Sequence, residues 1–476
     1  MKRITAFLLI TWLFAGYAIA QKIGPETALL VARTKAKQLN TGEPSINTYF
    51  SEYQAKTGKI LYFAYDIKPS GYIIVSADSD LPPVIAWSDV NDLDNRQEFA
   101  EILTADIKMR LRSLPSLPRR VIQQRNKSWK NLMEYNDRTD KDVSSTQWPT
   151  PGTTTTGGWL ESNWHQNSPY NDMCPTDPVT HNPSYAGCPA VAMAMIFNYH
   201  HTTNNTYFDD NDDYYHSYAG RNFWIDDDYA SIGFPSFPDI NELLDTLSYH
   251  YTNDIPVTSE DKAALTFACG IAATQVFTSE GSGTFGVDQA FDAYLRFGCA
   301  NVELLTGTDT TLYPRLTQNM MDGYPAHLAL VDESWSTGHN VVVDGYNTDG
   351  YYHLNFGWGG SANGWYLIPD EIPYSLTVIE GLIVDILTEN TVHIQEVEPS
   401  DEIKVFPNPA HTSVTIENRQ SEEFYIEIFN VSNRKVMELK AVKSLVQMDV
   451  SSLHPGIYLI GISTGTEFKR KKLVIY

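Results

Sequence analysis

The stretch that most restricts the fold is Cys188 to Tyr199, CPAVAMAMIFNY. From Ala190 to Phe197 it holds no polar residue and no helix breaker. Pro183 and Gly187 precede it, and Pro189 sits where proline suits a first helical turn. A helix that is apolar on every side has no face for water, so the fold must bury it in a core. Cys188 falls at its N-terminal end. Free N–H groups and the helix dipole there favour an anion, which predicts a lowered thiol pKa and a better nucleophile. Burial accounts for a cysteine equally well. The stretch by itself does not choose between chemistry and packing.

A thiol nucleophile needs a base. His339 opens a strand-like run, HNVVVDGY; NTDG marks a turn; YYHLNFGW reads as the return strand. A turn centred near Asn347 sets opposite each other residues whose numbers sum to about 694, so His339 faces Asn355 (694 − 339 = 355). An amide oxygen on Asn355 can hold one ring nitrogen and leave the other for the thiol. Trp358 and Trp365, in the glycine-rich run NFGWGGSANGW, are candidates to shield the pair from water. The Cys188 N–H is one natural donor to an oxyanion, and Gln166 in NWHQNSPYN is a candidate second donor.

The 476 residues are 42% hydrophobic and 19% charged, a globular composition sufficient for about three domains of roughly 100–200 residues. The net charge of −24 argues against nucleic acid and anionic lipid as partners. The opening MKRITAFLLITWLFAGYAIAQ has the basic start, apolar run and small-x-small site of a signal peptide cut after Ala20. No later segment is apolar for long enough to form a stable membrane span. The four cysteines, Cys174, Cys188, Cys269 and Cys299, are too few for a disulfide framework; one bridge or none fits them. They include no C-x-x-C pair, so no metal or other cofactor is expected. The acidic stretch FDDNDDYYHSYAGRNFWIDDDY lacks the spacing of an EF-hand and reads as a solvated loop.

Three units follow along the chain. The first contains two helices, PETALLVARTKAKQLN and EFAEILTADIKMRLRSL, and the strands KILYFAYDI and GYIIVSAD. A polar segment, DRTDKDVSSTQWPTPGTTTTGG, reads as an exposed linker. An aromatic-rich second unit carries the candidate residues. The third, from about Glu398, alternates like the short strands of a β-sandwich.

Taken together, WHQNSPYN at Trp164, GCPAVAMAMIFNYH at Gly187, GHNVVVDGY at Gly338 and YHLNFGWGGSANGW at Tyr352 resemble the streptopain family of secreted bacterial cysteine proteases. SGYIIVSADSDLPPVIAWSD at Ser70 resembles that family's inhibitory propeptide, so the resemblance spans about residues 25–387. Cysteine, histidine and asparagine occur in the chain order of papain-like proteases, and 339 − 188 = 151 is near their usual spacing of about 130–150. The resemblance implies an α+β chain: signal peptide 1–20, α+β inhibitory propeptide 21–145, papain-like cysteine protease domain 146–390. It implies an endopeptidase made as a zymogen and held by its own propeptide as intramolecular inhibitor, acting on protein or peptide substrates. Cys188 carries over as nucleophile, His339 as base, Gln166 to the oxyanion hole and Asn355 beside the histidine. The family has tryptophan after that asparagine; Phe356 here keeps a ring and loses the N–H. The papain signature Cys-Gly-Ser/Ala-Cys-Trp is absent. SEGSGTFG, Ser279 to Gly286, resembles the flexible loop beside a pocket for a bulky apolar side chain, which makes Ser282, Gly283 and Trp358 candidate substrate contacts.

KVFPNPAHTSVTI, GIYLIGIS and the basic end KRKKLVIY resemble the small β-sandwich sorting domain of the type IX secretion system of Bacteroidetes, here 398–476. It implies the type IX machinery as partner and a secreted or outer-membrane surface location in a Gram-negative bacterium. Two other readings use the same residues differently: a thiol acyltransferase or cell-wall amidase, and a non-catalytic adhesin on a degenerate protease fold. The intact set Cys188, His339, Asn355 and Gln166 argues against the adhesin.

Overall fold

The structure is a computed structural model and describes residues 22–39, 44–45, 59–93, 97–135, 146–307, 309–331, 338–368, 379–387, 403–406, 408, 410–418, 423–430, 435–441, 443–454, 456–463 and 468–475. The expected signal peptide and the first part of the expected linker lie outside these residues. The chain divides into two compact units, Met1–Thr388 and Glu389–Tyr476.

In the first unit the strands are β1 (Pro44–Ser45), β2 (Tyr62–Ile67), β3 (Tyr72–Ser76), β4 (Val84–Ser88), β5 (Gln147–Trp148), β6 (Tyr214–Tyr218), β7 (Arg221–Ile225), β8 (Glu303–Thr306), β9 (Ala326–Val331), β10 (Gly338–Asn347), β11 (Tyr352–Asn355), β12 (Gly364–Tyr366) and β13 (Ile379–Val384). Eleven of them form one sheet in the order β1-β2-β3-β4-β12-β11-β10-β9-β13-β8, with β5 also on β10. Its neighbouring strands run antiparallel. The N-terminal strands thus continue the later ones through β4 and β12. Trp87 pairs with Trp365 and Ala86 with Tyr366, the two indoles stack at 5.7 Å, and Leu367 N–H donates to the Ile85 carbonyl at 2.8 Å.

Side chains alternate across β9 and β10. Val342 and Ala329 join the core around the Cys188–Tyr199 helix, with helices Phe237–Thr252, Ser259–Ala272 and Val287–Arg296. Val341, Val343, Leu328 and Leu330 join the opposite core, with helices Gln97–Ser113 and Leu312–Asp322. A third core sets the Pro25–Gln38 helix and Trp129 against β2–β4 and Trp365. Ala190 to Phe197 are at most 1% exposed, as their all-round apolar sequence requires. The α+β class holds.

The expected exposed linker differs in its described part. Gln147 and Trp148 pair with Asn347 and Tyr346, and Trp148 stacks on Tyr346. Gly158 is buried so tightly that an added Cβ would lie 2.2 Å from Asp344 Oδ2. An aromatic that can cover an edge and a glycine that permits close approach turn polar sequence into docked structure.

Cys174, Cys269 and Cys299 are buried and unbridged. Burial raises each thiol, Cys299 to about 12, so they pack as small apolar groups.

The second unit contains β14 (Ile403–Phe406), β15 (Ser413–Asn418), β16 (Phe424–Asn430), β17 (Lys435–Ala441), β18 (Leu445–Asp449), β19 (Gly456–Ser463) and β20 (Phe468–Ile475). A three-stranded sheet, β14-β15-β18, and a four-stranded sheet, β17-β16-β19-β20, share one core that includes Ile416, Met448, Ile426, Ile460 and Leu473. This is the expected β-sandwich.

The Gln97–Ser113 helix is fixed to the end of β12 by Arg110, which is fully buried, pairs with Asp106 at 2.7 Å and donates to the Leu367 carbonyl. Arg110→Leu removes the buried cation that pairs with the Asp106 carboxylate and is expected to cost about 3–5 kcal/mol in urea unfolding. Replacing both residues with leucine is expected to recover much of that loss.

Candidate active site

Gly187 begins the site. It is the N-cap of the Cys188 helix with φ 86°, a left-handed conformation suited to glycine. An added Cβ would lie 2.7 Å from Gln275 Oε1. Gln275 is fully buried and donates from Nε2 to the Ala186 carbonyl at 2.7 Å. The Ala186 N–H donates to the Gln166 carbonyl at 3.0 Å, so the Gln166 segment is tied two residues ahead of the thiol. Gln166 itself is half-buried.

Cys188 is half-buried, and Asn340 Nδ2 donates to its sulfur at 3.7 Å. Burial pushes the thiol up; hydrogen bonds from the Asn340 backbone and side chain and from its own N–H pull it part of the way back. In the full-length chain the expected lowering is therefore reversed: desolvation of the anion outweighs the N–H groups that favour it.

His339 precedes Asn340 on β10, so its side chain leaves the opposite face of the strand. It does not face Asn355. The observed register sets Val342 opposite Asn355, a sum of 697. The turn lies further along because Asn347 Oδ1 accepts from the N–H groups of Asp349 and Tyr351, which keeps Asn347 in the strand and closes the chain after it. Extending that register gives 697 − 339 = 358. The His339 ring does lie on Trp358, at 4.3 Å and 27°, and parallel to Phe356 at 5.9 Å. Its Nε2 donates to the Phe356 carbonyl at 2.8 Å.

The acceptor that orients His339 is thus a backbone oxygen. Asn355, fully buried, instead accepts from Gly357 N–H at 3.1 Å and donates to the Ser162 carbonyl at 2.9 Å. Trp358 is buried against the imidazole, the shielding position. The Phe356 ring meets Phe99, from the Gln97–Ser113 helix, edge-on at 5.8 Å.

The Ser279–Gly286 loop reaches the Cys188 end of the helix: a Cβ on Gly283 would lie 3.8 Å from Pro189 Cδ. Gly283 and Val276 exchange both backbone hydrogen bonds. The Ser282 hydroxyl accepts from Thr278 N–H and donates to the Thr278 carbonyl, so it closes the loop on itself. The root of this loop is clamped. Asp177, fully buried, accepts from Arg221 and from both N–H and Oγ–H of Ser279, and Arg221 also reaches Glu280. Burial alone would raise Asp177, but Arg221 and the N–H donors hold it well below the usual carboxylate range.

Sequence reasoning missed Asn340, and behind it His327 and Tyr294. His327 Nε2 meets Asn340 Oδ1 at 2.8 Å, and Tyr294 Oη meets His327 Nδ1 at 3.1 Å. The available signal was a histidine and an asparagine placed among apolar residues in PAHLALV and HNVVV.

Comparison with known proteins matches three segments. Residues 164–366 match the Peptidase C10 family, residues 20–109 the Spi protease inhibitor, and residues 404–476 the secretion system C-terminal sorting domain. The thiol protease/hemagglutinin PrtT of Porphyromonas gingivalis is 26% identical over 269 residues, covering 55% of this chain and 29% of that protein. The chain therefore spans under a third of that relative. Among solved structures, a prointerpain A fragment of Prevotella intermedia is 21% identical with TM-score 0.45, over 69% of this chain and 96% of the fragment. Active interpain A from the same organism is 24% identical with TM-score 0.35, over 48% and 94%.

Two outcomes are expected. Gly187→Ala forces a left-handed alanine into Gln275 and should cost about 2 kcal/mol or more in thermal unfolding. The second concerns His327, whose pKa burial lowers to about 4 against a partial opposing effect of Asn340. Between that value and its ordinary 6.5, the unfolded chain binds more protons, so this contribution is full above about 6.5 and is lost as pH falls towards 4. From pH 7 to 4.5, urea unfolding of the wild type should weaken by about 2 kcal/mol more than that of His327→Gln.

Proposed function

From the premise that residues 164–366 are a Peptidase C10 domain, behind a Spi-type inhibitor domain and ahead of a type IX sorting domain, we propose that this chain is a secreted cysteine endopeptidase made as a zymogen. Cys188 is its nucleophile and His339 its base. The observation that carries the reading is the meeting of two elements: a thiol at the N-terminal tip of a buried helix, and the strand of His339 in contact with that sulfur through the next residue, Asn340.

His339 takes the Cys188 proton as the sulfur attacks a peptide carbonyl carbon. The Cys188 N–H and the Gln166 side-chain amide receive the oxyanion. The carbon–nitrogen bond breaks, the amine leaves with the proton from His339, and a thioester remains. A water molecule, deprotonated by His339, attacks the thioester; the carboxylic product leaves and Cys188 regains its proton. Before the dyad closes, the Phe356 carbonyl holds Nε2 of His339. Asn355 holds the Phe356–Gly357 bend, and Ser282, Gly283 and Trp358 border the substrate.

The dyad closes by rotation of His339 towards the α-helical face. In the zymogen the propeptide opposes this. It extends the sheet at β12, and Phe99 braces Phe356, whose carbonyl holds the imidazole. Residues 1–20 direct export, a cut in the linker frees the enzyme, and the sandwich engages the type IX machinery. Substrates are proteins or peptides with a bulky apolar residue before the cut.

Cys188→Ala is expected to reduce casein cleavage at least about a thousand-fold with thermal unfolding unchanged. A thiol-directed epoxide should label Cys188 and give the same loss. Normal casein turnover by the variant, or amine incorporation without new peptide ends, defeats the proposal.

A further inference from the structure

Three polar groups stand in line behind the Cys188 sulfur. Asn340 Nδ2 lies 3.7 Å from Sγ, Asn340 Oδ1 lies 2.8 Å from His327 Nε2, and His327 Nδ1 lies 3.1 Å from Tyr294 Oη. His327 and Tyr294 are fully buried and Asn340 is half-buried. They occupy the sheet face on which Ala329, Val342 and Ile383 are apolar. Polar groups there are costly unless each finds its partner.

We propose that Asn340 is a catalytic residue that stabilises the Cys188 thiolate through its side-chain amide, and that His327 and Tyr294 are positioning residues that fix which end of the amide meets the sulfur. The proposal rests on Cys188 being the nucleophile.

The two ends of an asparagine amide have nearly the same shape and opposite hydrogen-bonding roles. The end that faces sulfur is decided by what the other end meets. A neutral imidazole has one donor and one acceptor nitrogen. Burial holds His327 neutral, with its pKa lowered to about 4. One polarity satisfies every group around a thiolate: Tyr294 O–H donates to Nδ1, Nε2–H donates to Asn340 Oδ1, and Asn340 Nδ2–H donates to Sγ. The reverse polarity requires a proton on sulfur to meet Oδ1, and it sets an oxygen against the anion once that proton leaves. Formation of the thiolate and the forward polarity of the line therefore go together.

Asn340 and His339 leave opposite faces of β10, so the line reaches the sulfur without using the imidazole. It also supplies what burial withholds. Desolvation raises the thiol, and the Asn340 hydrogen bonds are the first contributions that oppose it. Because the donor stays on sulfur as the thioester forms and breaks, it serves both attack and departure of the thiolate.

The test is the pH dependence of iodoacetamide alkylation at Cys188 in the full-length chain, read by mass spectrometry, beside casein cleavage. Asn340→Ala is expected to raise the apparent thiol pKa by about one unit, and so to lower alkylation at pH 6 about tenfold. His327→Leu should move the profile in the same direction with Asn340 in place. His327→Gln, which keeps a donor for Oδ1, should restore part of it. Cys174, Cys269 and Cys299 stay unlabelled in any variant that remains folded, since all three are buried. Should Asn340→Ala unfold, the His327→Leu and His327→Gln pair decides alone. A profile for folded Asn340→Ala that superimposes on wild type, with Cys188→Ala inactive, overturns the proposal and leaves the nucleophile standing. Cleavage of casein by Cys188→Ala overturns the nucleophile assignment, and the role of Asn340 with it.

Discussion

Burial of the Cys188 helix against β9 and β10 is the constraint on which the rest depends. Because the helix is apolar all round, it must be covered by sheet on one side and by helices on the others. Protein interiors pack at crystal-like density, so such a helix has little freedom to slide or turn. Its first residue inherits that rigidity. The Gly187 turn and the fully buried Gln275 then fix where the chain enters. For the nucleophile role proposed for Cys188 this matters more than flexibility, since misplacement by about an ångström can cost a hundred-fold in rate.

The helix and its terminal cysteine were legible because composition alone dictates burial. The hairpin carrying His339 was legible for the same kind of reason, a turn signal between two apolar alternations. Its register was not. Asn347 reads as the turn centre, yet its side chain caps the turn from within the strand and moves the centre towards Asp349. The shift of three residues changes the partner of His339 from Asn355 to Trp358. The acceptor on His339 could not be read at all, because it is the carbonyl of Phe356, and backbone groups carry no sequence signature. Asn340, His327 and Tyr294 escaped notice because their partnership exists only after β9 and β10 pair and the Val287–Arg296 helix packs behind them.

The N-terminal segment meets the later strands through both backbone pairing and a shared apolar core. β4 lies on the edge of β12, where the Leu367 N–H donates to the Ile85 carbonyl and the Leu367 carbonyl accepts from the buried Arg110. An edge strand is a ready template for another strand, which suits temporary occupation. Main-chain pairing is tolerant of sequence, so specificity must come from the side chains that straddle the seam. Trp87 on Trp365 and Phe99 on Phe356 are among the aromatic pairs that do so, with Tyr72 and Phe99 both on Tyr366. The same segment therefore covers those rings and occupies the β12 edge together.

The alternation of β10 gives the thiol two independent controls. His339 leaves one face of the strand and leans on Phe356 and Trp358, within reach of the inhibitor segment through Phe99. Asn340 leaves the other face and leans on His327, within a core that the inhibitor segment does not enter. Latency and thiolate stabilisation can therefore be altered separately, although their residues are neighbours in sequence. The N-terminal segment packs on the imidazole side and, among the described residues, contributes none to the core on the amide side. The amide donor to the Cys188 sulfur thus sits in a core separate from the rings around His339.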